Sequence, residues 1–373
     1  MSEHDILRRF ELSDLALPVI QAPMAGSGIT TPELVAAACE AGVLGSVAAA
    51  YCSLQQLEHD VAEVRKRTSQ PFAINVFAPT DDPPRPADAA GEIARLTAWH
   101  KRLGLPPPAL PETASEPFEA TMGLILALKP AVVSCTFGIL PDKFVDQLKS
   151  ANVFVVGTAT TAREARMLEA HGCDAVVAQG AEAGGHRGGF AGVRGPGLVG
   201  TISLVPQLVD ALTIPIIASG GMMDGRGIAA ALALGAAAVQ MGTAFLTTQE
   251  SGAPRCYKDA VLAATDESTI LTTAFSGRHA RGIANEFTDE ADDVQAQPLP
   301  YPWQNALTRP LRKAGITAGN AEVLSLWAGQ GAPMAREWSV AELVSALRRE
   351  LHSAADRVEA RVHPARKQTS EQP

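Results

Sequence analysis

Pro215-Ile216-Ile217-Ala218-Ser219-Gly220-Gly221, then residues 225–234 at helical spacing, then Ala238-Val239-Gln240-Met241-Gly242-Thr243, form one repeating unit. It reads as strand, glycine-rich turn, helix, strand, glycine turn. Short continuous apolar runs of this kind suit parallel strands buried on both faces. Working outward, the same alternation predicts strands at 18–24, 44–49, 72–77, 131–137, 153–158, 174–179, 215–220 and 238–245. Helical patterns separate them at 32–41, 54–68, 116–128, 142–149, 162–170, 203–212 and 225–234. Gly42 and Gly172 stand where left-handed caps would end two of these helices. Eight β/α steps within roughly 230 residues are what a closed (β/α)8 barrel needs.

A doubly wound sheet is the rival arrangement. Its dinucleotide fingerprint is missing after the first strand, where Met24-Ala25-Gly26-Ser27-Gly28 has the wrong spacing. Glycines gather instead after the sixth, seventh and eighth strands, where barrels bind phosphate. The fold class expected is therefore α/β, a TIM (β/α)8 barrel over residues 1–250 with a smaller, mainly helical added lobe at 251–314. Residues 315–362 are expected to return as helices onto the barrel, and 363–373 to be a disordered tail. Residues 79–117 hold nine prolines and read as a long connection over the barrel mouth.

Composition narrows the function classes. The formal net charge of −9 and the lack of a Lys/Arg cluster argue against nucleic-acid binding. No apolar run approaches the roughly 18 residues of a membrane span. Met1-Ser2-Glu3-His4-Asp5 does not open like a secretory signal, so a cytoplasmic protein is expected. The five cysteines include no C-x-x-C pair, which supports neither a disulfide framework nor a zinc site, and no metal is expected.

In a barrel the chemistry sits just beyond the strand ends. Gly220-Gly221 and Gly242-Thr243 could offer backbone N–H donors to a phosphate, and glycine lets it approach closely. Ala22, Met24, Asn75, Gln179, Gln240 and Met241 bring neutral amides and apolar surface, the lining a flavin ring requires. Among the eight histidines, His186 stands out, set in Glu182-Ala183-Gly184-Gly185-His186-Arg187-Gly188 beyond the sixth strand. A histidine there can take a proton from carbon next to an electron-withdrawing group. Glu182 and Arg187 read as orienting or structural groups, and His279 is left open.

These residues resemble the nitronate monooxygenases, formerly called 2-nitropropane dioxygenases, over nearly the whole chain. The resemblance rests on Gln21-Ala22-Pro23-Met24-Ala25-Gly26, on the stretch from Gln179 to Gly188, and on Ala218-Ser219-Gly220-Gly221 with Gln240-Met241-Gly242-Thr243. It continues into Leu326-Trp327-Ala328-Gly329-Gln330-Gly331. It implies non-covalent FMN, contacted by residues matching Asn75, Gln179, Gly184, Gly221 and Gln240 to Thr243, with His186 as the catalytic base. It also implies oxidation of alkyl nitronates by O2 to a carbonyl compound and nitrite, without reduced nicotinamide. One departure concerns the fourth strand, which in the family's class I pattern commonly ends Phe-His-Phe-Gly and here ends Cys135-Thr136-Phe137-Gly138. Thr136 thus stands in place of a second pocket histidine, which leaves the physiological substrate open.

The expected partners are a small-molecule substrate and O2, with a homodimer left open. Two alternatives remain at this level. One is an NAD(P)H-dependent flavin enoyl-thioester reductase sharing the barrel and a similar Gly-Gly-His segment. The other is a flavin-free barrel that uses its glycine cradle for a phosphorylated substrate.

Overall fold

The computed structural model describes residues 9–26, 28–79, 83–114, 117–192 and 197–363. Its strands are β1 (Val19–Gln21), β2 (Ser46–Ala48), β3 (Ala73–Phe77), β4 (Val132–Thr136), β5 (Phe154–Ala159), β6 (Ala175–Gln179), β7 (Gly185–His186), β8 (Ile216–Ser219), β9 (Ala238–Met241), β10 (Thr269–Thr272) and β11 (Ala280–Ile283). The helices of the first half are α1 (Pro32–Glu40), α2 (Leu54–Arg67), α3 (Ala90–Arg102), α4 (Phe118–Leu128), α5 (Asp142–Ser150) and α6 (Ala162–Ala170). Those of the second half are α7 (Thr201–Ala211), α8 (Gly225–Ala233), α9 (Thr243–Leu246), α10 (Arg255–Leu262), α11 (Glu286–Asp293), α12 (Trp303–Ala318) and α13 (Val340–Val362).

Eight parallel strands run in the order β1-β9-β8-β6-β5-β4-β3-β2. The two edges then meet: Gln21 N donates to Leu44 O at 2.9 Å and Leu44 N to Val19 O at 3.0 Å. The Gln21 side chain seals the same seam, its Oε1 accepting from Ser46 N at 2.9 Å. The sheet is thus a closed TIM barrel, as expected. Strand alternation sorts the core into two layers. Val155 and Val176 face the helices, packing with residues such as Leu168 and Leu204. Val132, Val156, Val177 and Ile217 face inward, with Phe10 and Leu12 from the N-terminal segment packed beneath them.

Three expectations need correcting. The eighth strand was expected to run to residue 245 but stops at Met241, and Thr243–Leu246 is the helical turn α9. Ala244, Phe245 and Leu246 are apolar enough to read as strand. However, their neighbour β1 has ended, and Phe245 N bonds back to Gly242 O at 2.9 Å instead. The proline-rich connection 79–117 contains α3, whose buried Leu96 and Trp99 pack with Phe287 and Trp303. Arg95 on α3 pairs with Glu92 and Glu290 at 2.7 and 2.6 Å, tying the segment to α11.

The added lobe is mainly helical, as expected, and also carries a three-stranded antiparallel sheet of β10, β11 and β7. A two-residue strand such as β7 carries no periodicity that a sequence could reveal. Finally, the boundary expected at 314/315 falls inside α12, so lobe and returning segment share one helix. The last helix, α13, buries Val340, Leu343, Val344 and Leu347 in the outer barrel core. Ser339 caps it, accepting from Glu342 N at 3.3 Å while Glu342 accepts from Ser339 N at 2.8 Å. His363 closes that helix, and the rest of the expected tail lies outside the described residues. No described helix is long and apolar enough to cross a membrane.

Candidate active site

The strand ends open into one cavity roofed by the lobe. Ala22, Met24, Asn75, Gln179, Gly184, His186, Gly220, Gly221, Gln240, Met241, Gly242 and Thr243 all line it. Gln21 does not, because its amide is engaged in closing the barrel seam. Asn75 Nδ2 donates to Ser134 Oγ at 2.9 Å and reaches Thr136 Oγ1 at 3.4 Å, which leaves its carbonyl oxygen as the free acceptor.

His186 is held from several sides. Its backbone pairs with Ala280 of β11, so the lobe sheet carries the residue that the barrel strand delivers. Gln179 grips the same loop at both ends of its amide: Nε2 donates to His186 O at 3.0 Å and Oε1 accepts from Gly188 N at 2.8 Å. Arg187 is buried and donates to Gly180 O, Gln179 O and Gly197 O at 2.6, 2.8 and 3.0 Å. Glu182 accepts from Thr201 N and Thr201 Oγ1 at 2.9 and 2.8 Å. Both charged neighbours of the histidine are therefore loop braces rather than reacting groups. Gly184 is required by packing, since a Cβ there would lie 2.6 Å from the Ala328 carbonyl carbon and the Gly329 amide nitrogen.

The imidazole is half-buried and meets Phe137, Tyr301 and Trp327 edge-on or tilted, with ring centroids 5.5 to 6.0 Å away. His186 Nε2 lies 2.8 Å from Ser276 Oγ. That hydroxyl donates its single proton to Arg278 O at 3.0 Å. With its proton so placed, the hydroxyl accepts from the histidine, an arrangement that favours the Nε2–H tautomer with the Nδ1 lone pair free. Burial pushes the imidazole down to about 3, with the Arg278 and Arg312 guanidiniums adding to the effect. The ring is neutral throughout the neutral pH range.

On the opposite wall are the glycine turns. Gly220 and Gly221 have φ of +125° and +74°, a region that favours glycine. The amides of Gly220, Gly221, Met222, Gly242 and Thr243 donate to no protein acceptor among the described residues. The N-terminus of α8, which follows, is already engaged. Its N-cap Asp224 already accepts from Arg226 N and Gly227 N at 2.9 and 3.4 Å. An anion placed here would meet the turn amides and not the start of α8.

Sequence reasoning missed several lining residues: Tyr51, Asn305 and Arg312. Tyr51 Oη lies 3.2 Å from Tyr301 Oη. Phe137 takes a φ of +76° and stacks under Arg278, whose guanidinium carbon is 4.0 Å from the ring centroid. The positive φ at a bulky residue was not legible in the sequence. Arg312 sits in an ordinary amphipathic helix pattern, and only the fold turns it inward.

The nitronate monooxygenase family model matches residues 9–350. A probable nitronate monooxygenase of Staphylococcus aureus (strain Newman) is 43% identical over 333 residues, covering 88% of this chain and 92% of that protein. The structure of a nitroalkane oxidase from Streptomyces ansochromogenes superposes with a TM-score of 0.86 at 39% identity, covering 93% and 99% of the two chains. FabK from Thermotoga maritima superposes with a TM-score of 0.72 at 27% identity, covering 94% and 97%. With the family's match spanning the barrel, the histidine loop and the returning segment over it, this chain belongs to the nitronate monooxygenase family.

Proposed function

We propose that this chain is an FMN-dependent enzyme that oxidises alkyl nitronates with O2 to a carbonyl compound and nitrite. The observation that carries the reading is a neutral histidine, hydrogen-bonded to Ser276, facing a cavity whose charged neighbours are guanidiniums. The unpartnered amides of Gly220, Gly221, Met222, Gly242 and Thr243 fit the phosphate of FMN. Asn75 and Gln240, with Ala22, Met24 and Met241, suit the edges of a flavin ring. When bound, the flavin supplies the electron acceptor that links substrate oxidation to O2.

The protein's own part is to bind, orient and manage a proton. Ser276 holds Nε2–H so that Nδ1 of His186 is the atom able to take the α-proton of a neutral nitroalkane. Burial, with the flanking guanidiniums adding to it, makes that nitrogen a weak base before substrate enters. The same charges favour a substrate already carrying a negative charge. The cavity therefore suits preformed nitronates better than neutral nitroalkanes, and His186 serves as the base where the latter are accepted. Phe137, Tyr301 and Trp327 exclude water around the ring.

A visible spectrum of the purified protein, followed by aerobic assay with a nitronate panel, tests the reading. A bound flavin and stoichiometric nitrite release are expected. Rapid anaerobic bleaching of the flavin by NADH or NADPH would instead make the chain a nicotinamide-dependent reductase. A protein that stays colourless after FMN addition would favour the flavin-free alternative.

A further inference from the structure

Arg312 is a cation in an unusual place. It projects from α12 into the cavity lining, yet no Asp or Glu pairs with it among the described residues. Its Nη2 donates to Asn305 O at 2.5 Å and to Asn305 Oδ1 at 2.9 Å. Its Nε is buried without any acceptor. Asn305 lies two turns earlier on the same helix, so the guanidinium folds back toward the helix N-terminus, where the macrodipole opposes a positive charge. Burial pulls the guanidinium down to about 10, although the nearby Tyr51 acts against that. A half-buried, unpaired cation destabilises a fold, and a partner that enters with the substrate accounts for keeping it.

We propose that Arg312 is the residue that recognises the anionic oxygens of the nitronate. This rests on the reading of the cavity as a nitronate site and names the group that selects charge within it. A nitronate spreads its charge over two coplanar oxygens, as a carboxylate does, and a guanidinium matches that shape with parallel N–H donors. Asn305 fixes the plane of the guanidinium through Nη2 and leaves Nε without a partner. The position faces the same space as His186, whose ring feels the Arg312 charge. Oxygens held by Arg312 would keep the α-carbon within the histidine's half of the cavity.

The test uses the FMN-loaded full chain and the variants Arg312→Met and Arg312→Lys. For Arg312→Met, KM for a nitronate should rise about 10- to 100-fold, the loss of one charge-assisted contact. KM for the neutral nitroalkane should change less than about threefold, because it carries no charge to pair. Arg312→Lys should recover part of the nitronate KM. A second readout does not depend on turnover: nitrate, a planar oxyanion, should raise the Tm of the wild type and not of Arg312→Met. Without nitrate, Arg312→Met should be as stable as the wild type or more so, since an unpaired, half-buried charge is removed. Equal rises in KM for nitronate and nitroalkane, or a nitrate shift that survives in Arg312→Met, would overturn the assignment. Absence of nitronate turnover in the wild type would instead count against the proposed reaction, with the nitrate shift still reporting on Arg312.

Discussion

Replacing His186 by Asn removes the only imidazole among the described lining residues while keeping a side chain of similar reach. Proton abstraction from a neutral nitroalkane should then fall about 10²- to 10⁴-fold. Turnover of a preformed nitronate, which needs no such step, should fall less than about tenfold. Equal losses for the two substrates in steady-state assays would remove the base role. The pH dependence has a definite sign. The imidazole is held at about 3 rather than near 6.5, so it stays deprotonated as pH falls through 6.5. For a neutral nitroalkane, kcat/KM should therefore show no titration near 6.5 and should decline only in strong acid. Ser276→Ala should lower that same kcat/KM about tenfold by freeing the tautomer, a loss near that of one hydrogen bond. Of these residues, His186 was legible from its glycine-flanked loop. Ser276 was not, because its 90-residue separation from His186 is bridged only in space.

Between residue and fold, the loop from Gln179 to Gly192 acts as an element in its own right. Glu164 on α6 anchors its far end, accepting from Phe190 N and Ala191 N at 2.6 and 3.0 Å and from Thr160 N and Thr160 Oγ1 at 2.8 Å each. Burial alone would push this carboxyl up, but these hydrogen bonds outweigh it and hold it below 4.5. A carboxyl depressed in the folded state contributes stability above its unfolded value, lost as pH falls through its folded value. Glu164→Gln should thus cost about 1–3 kcal/mol at neutral pH and flatten the acid limb of a urea-denaturation series below pH 4.5. An unchanged acid limb would mean that other carboxyls control it. Gly184→Ala should cost about 1–3 kcal/mol through overpacking against the Ala328-Gly329 backbone. It should also weaken flavin retention, read by fluorescence of released FMN.

At the scale of the molecule, α13 completes the outer shell by packing on α8 and α1. Its Leu347 is fully buried, and Leu347→Ala should lower unfolding stability by about 2–5 kcal/mol. Flavin retention at 25 °C should be kept, because α13 lies outside the cavity wall. The barrel itself was readable because buried parallel strands demand continuous apolar runs, and helices between them demand a different period. That is a local signal, repeated eight times in the main sheet. The lobe was read less well: α3 hid among prolines, and β10 and β11 are short strands whose burial comes from neighbours rather than from pattern.

Amino-acid order alone was sufficient for the succession of strands, the glycine turns and the histidine between them, since each depends on residues adjacent in the chain. Tertiary structure alone decided the charge of the cavity and the tautomer of its histidine. Arg278 and Arg312, Ser276 and the edge of β11 arrive from 90 to 126 residues beyond His186, too far for any periodicity to record. Burial by the lobe then converts their proximity into an electrostatic setting, because desolvation and nearby charge act through space and not along the chain.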